Sequence, residues 1–453
     1  MARGKKKESL TLEEKLEAAL VPEEEQPYEV PGNWCWVTIE TINQYESNSV
    51  DPSKYLEGKF ELYSVPSCDA DYPEIVFGKD IGSTKQSVKK DDVLLCKINP
   101  RINRVWKVSK HTEYSLLASS EWIVIRNEHI DADYLMYCLR TQYFREYMLS
   151  NVSGVGGSLM RAQPKHVKRY PIPIPPLDEQ HRIVERIESL FSQLDEARDK
   201  AQEALDSFEI RKSSLLQKAF AGELTEKWRK ENSISFDTWE SMPLESVCES
   251  IYDGDHMPPP KSEEGIPFLV ISNVNDGHLS FENTRFVPED YYNSLSPTRK
   301  PEKGDVLYTL VGSYGIPVVV DSDKSFCFQR HMGLLKPRKV DTYFLWYQMQ
   351  SDVIYQKATA IATGTAQLTV PIKGLRKIEI AVPTKEEQQE IVRILNDVLG
   401  RERKMQEDIA AIIEQIESIK KSILAKAFRG ELGTNDPEDE NAVELLKAVL
   451  KEQ

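Results

Sequence analysis

Two long stretches of this chain repeat one another at an offset of 208 residues, the distance from Ile183 to Ile391, and neither can hide its apolar edge alone. The first carries Ile183, Ile187, Leu190, Leu194, Ala197, Ala201, Ala204, Phe208 and Leu215 at alternating steps of four and three, with Arg211 as a polar interruption. That spacing is the seam of a coiled coil. The second stretch answers with Ile391, Leu395, Val398, Met405, Ile409, Ile412, Ile416, Ile419 and Ile423, interrupted at Glu402. Their flanks repeat in the same register. Ile172-Pro173-Ile174-Pro175 is matched by Ile380-Ala381-Val382-Pro383, and Glu179-Gln180 by Glu387-Gln388. Lys218-Ala219-Phe220-Ala221-Gly222-Glu223-Leu224 is matched by Lys426-Ala427-Phe428-Arg429-Gly430-Glu431-Leu432. A match sustained through entry, helix and exit marks a duplicated unit.

A duplicated long helix dictates the alternation globule, helix, globule, helix. Each helix, of roughly 42 residues, extends about 60 Å at 1.5 Å per residue. If the two seams bury one another, the helices run antiparallel and the halves are related by a pseudo-twofold axis. Ala197, Ala201 and Ala204 narrow the first helix where the second is broad with Ile and Met, as interdigitation requires. The expected fold is therefore α/β, or α+β, in two globular segments joined by an antiparallel pair of coiled-coil helices. The expected boundaries are an N-terminal helix and acidic linker over 1–30, a first globule over 31–171 and a first helix with its flanks over 172–230. A second globule over 231–379, a second helix over 380–433 and an acidic tail with a short helix over 434–453 complete the chain.

No apolar run approaches the roughly 18 residues of a membrane span, and the basic Arg3, Lys5, Lys6 and Lys7 precede no hydrophobic signal region. A soluble, cytoplasmic protein is expected. Cys35, Cys68, Cys96, Cys138, Cys248 and Cys327 are scattered without C-x-x-C spacing, and read as reduced core residues rather than disulfides or metal ligands. The net charge of −15 argues against nucleic acid until its distribution is considered. Acid gathers near the N-terminus (Glu13, Glu14, Glu17, Glu23, Glu24, Glu25) and in the tail (Asp436, Glu438, Asp439, Glu440, Glu444), which leaves basic clusters in the globules.

Thr11 and Glu14 stand in capping-box spacing before a short helix. In the first globule Val93-Leu94-Leu95-Cys96 and Glu121-Trp122-Ile123-Val124-Ile125 read as strands, and Tyr134 to Leu149 as one amphipathic helix. Between the strands lie Lys97, Asn99, Arg101, Asn103, Arg104 and Lys107. From Lys85 to Lys110 there are eight Lys or Arg against two Asp, the most basic window of the chain. Such side chains neutralise phosphates, and Arg or Asn can read base edges with two hydrogen bonds. The run Ser153-Gly154-Val155-Gly156-Gly157-Ser158 follows a helix and precedes Arg161 and Pro164, so it lacks the strand and helix of a nucleotide loop. It suits a turn that approaches a phosphate.

The second globule repeats the first loosely. Gly304-Asp305-Val306-Leu307 stands for Asp91-Asp92-Val93-Leu94, and Thr363-Gly364-Thr365-Ala366-Gln367 for the glycine run. The loop contents differ: Val311-Gly312-Ser313-Tyr314-Gly315 replaces the basic cluster, and Gln329-Arg330-His331 sits beside the later strand. Two similar frames with dissimilar loops suggest two readers of different targets.

No chemistry accompanies them. There is no Asn-Pro-Pro-aromatic or Asp-Pro-Pro-Tyr adenine-methylation motif, which Asn99-Pro100-Arg101 does not match, and no G-x-x-x-x-G-K-[ST] phosphate loop. No metal-ligand cluster or nucleophile with its base is evident, so a self-contained nuclease or methyltransferase is disfavoured. A coiled-coil scaffold that binds no DNA is the alternative, but it gives no reason for two duplicated globules with unlike loops.

The arrangement resembles the specificity subunits of type I restriction-modification systems. The likeness rests on Ile172-Pro173-Ile174-Pro175-Pro176-Leu177-Asp178-Glu179-Gln180, its partner before the second helix, the Ala-Phe-x-Gly-Glu-Leu endings and Thr225-Glu226-Lys227-Trp228-Arg229. It spans nearly the whole chain, with the globules matching only in outline. It implies two target-recognition domains, each reading one half of a split site in double-stranded DNA. It also implies paired helices that set their separation and bind two modification subunits, which bring S-adenosylmethionine and methylate adenine. Restriction subunits would add ATP-driven translocation and magnesium-dependent cleavage. The chain itself would then need no cofactor, hold no metal and catalyse nothing alone. The candidate DNA contacts are Lys97, Asn99, Arg101, Asn103, Arg104, Lys107, Arg161, Ser313, Tyr314, Arg330, His331, Thr365 and Gln367. The candidate partner contacts are Glu179, Gln180, Ile183, Phe220, Glu387, Gln388, Ile391 and Phe428. The acidic ends fit either a contact with the modification subunit or closure of the termini on each other.

Overall fold

The computed structural model describes residues 11–150, 152–153, 160–255, 259–274, 276–365 and 367–451. They fall into two compact units, Met1–Lys200 with Ile412–Gln453, and Ala201–Ala411. The basic residues 3–7 and the glycines of the 154–157 run lie outside the described residues.

The first unit opens with helix α1 (Leu12–Ala19), held by the expected capping box: Glu14 N–H donates to Thr11 Oγ1, and Thr11 N–H to Glu14 Oε2 at 2.7 Å. Strands β1 (Cys35–Thr38), β2 (Lys59–Tyr63), β3 (Glu74–Phe77), β4 (Val93–Cys96), β5 (Val105–Lys107), β6 (Ser115–Ala118) and β7 (Trp122–Ile125) follow. Helices α2 (Ala132–Leu139) and α3 (Gln142–Ser150), strand β8 (Pro171–Ile174) and the start of α4 (Leu177–Phe220) complete it. The apolar run of β4 is central in an antiparallel sheet, Leu94 lying between Trp106 of β5 and Val124 of β7. A second sheet joins β6, β2 and β3 to short strands at Ser49–Val50 and Lys85–Ser87. Strands β1 and β8 pair antiparallel, Cys35 opposite Ile174, and so tie the beginning of the globule to its end at the root of α4. Tyr134, Phe144, Ile172, Ile183, Ile187 and Phe428 share the core behind this clip. The single helix expected over Tyr134 to Leu149 is two, because Thr141 Oγ1 donates to Cys138 O and accepts Phe144 N–H, capping a new start.

The second unit repeats this plan. After α5 (Glu226–Glu231) come β9 (Glu240–Pro243), β10 (Cys248–Asp253), β11 (Val306–Thr309), β12 (Pro317–Val319) and β13 (Met332–Pro337). Helices α6 (Thr342–Met349) and α7 (Asp352–Ile361), strand β14 (Glu379–Val382) and helix α8 (Lys385–Ala427) follow. Strands β12, β11 and β13 take the places of β5, β4 and β7, with β10 added at the edge. Strands β9 and β14 form the clip. The duplication reaches single contacts. Asp91 (φ 69°) and Gly304 (φ 95°) both adopt the left-handed conformation that turns the chain into the central strand. The next residue of each is a buried acid with a basic partner on the neighbouring strand or at its end: Asp92 with Arg126 at 2.6 Å, Asp305 with Lys336 at 3.1 Å.

The long helices run antiparallel. In the first unit Asp195 meets Lys420 at 2.6 Å and Arg198 reaches Glu417 at 4.0 Å, three residues forward on α4 against three backward on α8. In the second unit Arg211 of α4 pairs with Glu402 of α8 at 3.1 Å, and Leu215 and Val398 line the adjoining groove. The expected seam is rotated, however. Met405, Ile412 and Ile419 are 51%, 47% and 46% exposed, and Ala197 also faces out. Gln406, Ile413 and Lys420 take the more sheltered positions instead. Finally, α9 (Ala442–Lys451) packs in the first unit with Leu12, Leu16 and Ala19 of α1, burying Leu446, Val449 and Leu450. The terminal segments therefore close on each other.

Candidate nucleic-acid interface

In the first unit the β4–β5 hairpin closes through Lys97–Arg104, and its tip is fastened on two sides. Asn99 N–H donates to Met160 O at 2.9 Å, Ala162 N–H donates to Lys97 O at 2.8 Å, and Ile98 bridges Arg161. Lys97 N–H donates to Glu121 O at 3.1 Å, which ties in the turn between β6 and β7. Three segments remote in sequence thus share one end of the sheet, and they bring together Lys97, Asn99, Arg101, Asn103, Arg104 and Arg161. Arg101 is exposed, while Lys97, Asn99, Asn103 and Arg104 are half-buried. Arg161 rests on Glu121 at 3.1 Å with its side chain 55% exposed. Arg104 forks onto Asp69 at 2.8 and 3.1 Å, and those bonds hold the Asp69 carboxyl below its usual range. Lys107 does not join them. It lies at the opposite end of β5, across from Val93, and is bound to Asp133 at 2.5 Å.

The second unit builds the same platform from other residues. Gly312 N–H donates to Leu368 O at 3.1 Å, Val370 N–H to Leu310 O at 2.8 Å, and Leu310 N–H to His331 O at 2.8 Å; Val311 bridges Thr369. Ser313, Arg330, Thr365 and Gln367 are exposed around this end. His331 Nδ1 lies 2.6 Å from Gln329 Nε2. Burial, and then the neighbouring Arg330, push the His331 pKa below its ordinary value. A neutral ring at pH 7 accepts the Gln329 amide at Nδ1 and keeps Nε2–H as a donor. Tyr314, expected at the surface, turns inward instead. Its hydroxyl is 3.0 Å from Thr359 Oγ1, and its ring is stacked on Tyr355 at 5.5 Å and 9°. The aromatic face presented outward is that of Tyr355, 46% exposed. Gly315 (φ 95°) permits this, since a Cβ there would come 2.7 Å from the Tyr355 ring.

Glu121 and Tyr355 escaped the sequence reading. Both Glu121 and His331 accept an N–H from the residue after the central strand, so aligning the halves at this turn would have found Glu121. No comparable signal marks Tyr355, which sits on an ordinary amphipathic helix.

The motif residues assigned to partner subunits have internal duties. Glu179 Oε2 accepts from Trp34 Nε1 at 2.8 Å and Asn435 Nδ2 at 2.7 Å, and burial pushes its pKa above the usual carboxylate value. Glu387 Oε2 accepts from Trp239 Nε1 at 3.0 Å, and its other oxygen from Thr225 Oγ1 and Arg229. Gln180 Oε1 accepts Asp131 N–H and Gln388 Oε1 accepts Asp341 N–H, both at 2.9 Å; Gln180 Nε2 donates to Pro175 O and Gln388 Nε2 to Pro383 O, also at 2.9 Å. Ile183, Ile391 and Phe428 are buried, and Phe220 packs edge-on to Phe344. Glu179, Gln180 and Ile183, like Glu387, Gln388 and Ile391, clamp a helix root to the globule before it, while Phe220 and Phe428 at the far helix ends pack on Phe344 and Tyr134.

Among the described residues no group of three or more His, Cys, Asp or Glu is placed to hold a metal, and no helix is long and apolar enough to cross a membrane.

Comparison with known proteins points the same way. The model of the type I restriction modification DNA specificity domain matches residues 31–204 and again 237–418. The EcoKI specificity subunit of Escherichia coli is 24% identical over 376 residues, covering 80% of this chain and 79% of its own. The MjaVIII specificity subunit of Methanocaldococcus jannaschii is 26% identical over 420 residues, covering 89% and 94%. Among solved structures, a chain from a type I restriction-modification complex superposes with a TM-score of 0.73 at 22% identity, over 90% of this chain and all of that one. The HsdS subunit of Thermoanaerobacter tengcongensis does so with a TM-score of 0.61 at 23% identity, with the same coverage.

Proposed function

The chain belongs to the type I restriction-modification DNA specificity family, and from that premise we propose that its two units read the two words of one split DNA site on behalf of separate catalytic subunits. The observation that carries this reading is the duplicated platform. A hairpin tip, a crossing turn and a strand after the second helix meet in each unit through equivalent backbone bonds, yet bear different side chains. A shared frame keeps one mode of docking, and changed loops change what is read.

The first platform offers Arg101 and Arg161, suited to phosphates or to guanine O6 and N7. The second offers Gln367, Arg330, His331, Ser313 and Thr365, a less charged set in which an amide can meet adenine N6 and N7. The overall negative charge is compatible with this division at the first platform, because residues 31–171 carry 18 Lys or Arg against 17 Asp or Glu.

Catalysis belongs to other chains in this reading. Two modification subunits supply S-adenosylmethionine and methylate adenine, and restriction subunits supply ATP-driven cleavage. Their docking is assigned to exposed faces of α4 and α8, since the motif residues at the helix roots are buried. The helices act as a ruler that sets the number of unread base pairs between the words.

Single-molecule methylation sequencing of DNA from cells expressing this chain, with and without its modification subunit, tests the proposal. A two-word methyladenine motif that needs both proteins is expected. Methylation by this chain alone would mean a catalytic site in it, and none in either case would leave a scaffold.

A further inference from the structure

The tip of the β4–β5 hairpin carries an apolar side chain that no fold contact explains. Ile102 is 51% exposed, between the exposed Arg101 and the half-buried Asn103. Single exposed aliphatics are common, but this one is held in place at some expense. Asn99 and Asn103, on either side, both adopt left-handed backbone conformations, φ 46° and 54°. Pro100 between them is buried and has its φ fixed by its ring. Two consecutive turns close the tip, Ile102 N–H to Asn99 O at 3.1 Å and Asn103 N–H to Pro100 O at 3.2 Å. Asn103 Nδ2 donates to Leu139 O at 3.1 Å, pinning the loop to α2. The buried oxygens Asn99 Oδ1 and Asn103 Oδ1 find no hydrogen-bond partner among the described residues. Strained backbone and unsatisfied acceptors persist only where the surroundings impose them, and they concentrate at working sites. Here they fix the direction of one β-branched side chain, itself stiff at χ1.

A two-stranded hairpin fits the major groove, and the one apolar feature on a base edge there is the 5-methyl group of thymine. We infer that Ile102 is a specificity residue that recognises a thymine methyl in the first DNA word, with Arg101 and Arg161 beside it supplying charge to the backbone or to a neighbouring base. This rests on the reading of the first unit as the reader of one word, and it adds which residue reads and what chemical group it reads.

The test uses the assembled modification complex and duplexes in which each thymine of the first word is replaced, one at a time, by deoxyuridine, which lacks only the methyl. With the wild-type chain, one replacement should weaken binding about fourfold, the worth of one buried methyl group. With Ile102→Ala the same thymine and uracil duplexes should bind equally. No uracil-sensitive position, a first word without thymine, or sensitivity that persists in Ile102→Ala would overturn the inference. Equal weakening of both duplexes by Ile102→Ala would also overturn it, and would indicate a wedge between bases instead. Replacement of residues 97–103 as a block keeps the two levels apart. If it alters the first word while Ile102→Ala does not, only the thymine assignment fails. If it alters neither word, the first unit is not a reader at this loop.

Discussion

Arg211 and Glu402, the two residues that interrupt the apolar seams, face each other in the second unit with Arg211 Nη2 3.1 Å from Glu402 Oε2. Each interruption is the other's partner. Arg211 also lies over the Phe208 ring at 4.3 Å. Its side chain is 43% exposed, so water screens the pair and its direct worth is about 0.5 kcal/mol. Its value lies in register, as with polar residues at coiled-coil seams generally. Glu402→Leu alone should therefore cost under about 1 kcal/mol, and Arg211→Leu with Glu402→Leu should be no less stable than wild type. A double-mutant cycle by urea unfolding measures the coupling, and a coupling of several kcal/mol would contradict this account.

The equivalent acids Glu387 and Glu179 should respond differently to loss of charge. Arg229, 7% exposed, depends on the fully buried Glu387, so Glu387→Gln strands a cation and should cost about 3 kcal/mol. Glu179 accepts from an indole and an amide, both of which a glutamine carbonyl can serve, and Glu179→Gln should cost under about 1 kcal/mol. Urea midpoints of the two variants at pH 7 check the ranking.

Glu179 also gives stability a dependence on pH. Its folded pKa is raised by burial, so the folded state holds its proton more tightly than the unfolded one. The resulting stabilisation is complete below the ordinary carboxylate value and is lost as pH rises through the raised one. Glu179→Gln should remove that decline, so its cost relative to wild type should be largest near pH 4 and shrink towards neutrality. A cost that grows over the same range would reverse the sign.

Closure of the termini should matter for the first unit. Leu446 of α9 is 3% exposed in the core that includes Ala19 of α1. Leu446→Ala should cost about 3 kcal/mol, while Ile210→Ala, at a residue 74% exposed, should change stability by under about 0.5 kcal/mol. Thermal unfolding of both variants provides the comparison.

How far these relationships were legible varies with their physical origin. Repeats of sequence survive folding intact, so the duplicated helices, the strands Val93–Cys96 and Trp122–Ile125, and the matched acids Asp92 and Asp305 could be read directly. The phase of the seam could not. Isoleucines at 409, 412, 413, 416, 419 and 423 support more than one buried stripe, and pairs such as Asp195 with Lys420 appear only when the helices meet. The break at Thr141 depends on one hydroxyl cap against an otherwise continuous helical pattern. Among the candidate DNA contacts, sequence spacing grouped Lys107 with Arg101, but strand geometry places them at opposite ends of β5 and its hairpin. Arg161 and the basic tip were brought together by backbone bonds between segments about 60 residues apart, a distance no local pattern spans.

The basic tip itself divides into contact and support. Arg101 is exposed and free to reach DNA, whereas Arg104 is committed to Asp69. Arg101→Ala should weaken recognition of the first word alone, by about 1 to 3 kcal/mol if it reads a base. Arg104→Ala should lower thermal stability of the first unit as well as binding, because it releases the hairpin from the 66–70 segment. Methylation rates on duplexes mutated in one word or the other separate the two effects. Equal loss at both words for Arg101→Ala would count against the assignment.

The ruler reading makes a quantitative demand on the helices. Helix α4 is 44 residues long and α8 is 43, and each keeps its apolar stripe only if residues are removed in whole heptads. Seven residues occupy about 10 Å of helix, which corresponds to about three base pairs at 3.4 Å each. Removing one heptad from both helices preserves the clamps at Glu179 and Glu387 and leaves every platform residue untouched. The two words should then be unchanged while the gap between them shortens by about three base pairs, with the accompanying rotation about the DNA axis reducing the rate of methylation. Removing seven residues from one helix alone should instead unfold the pair, since the opposing stripes lose register. Methylation sequencing with the shortened chain reads words and gap together. An unchanged gap with both words intact would show that spacing is set elsewhere than in these helices.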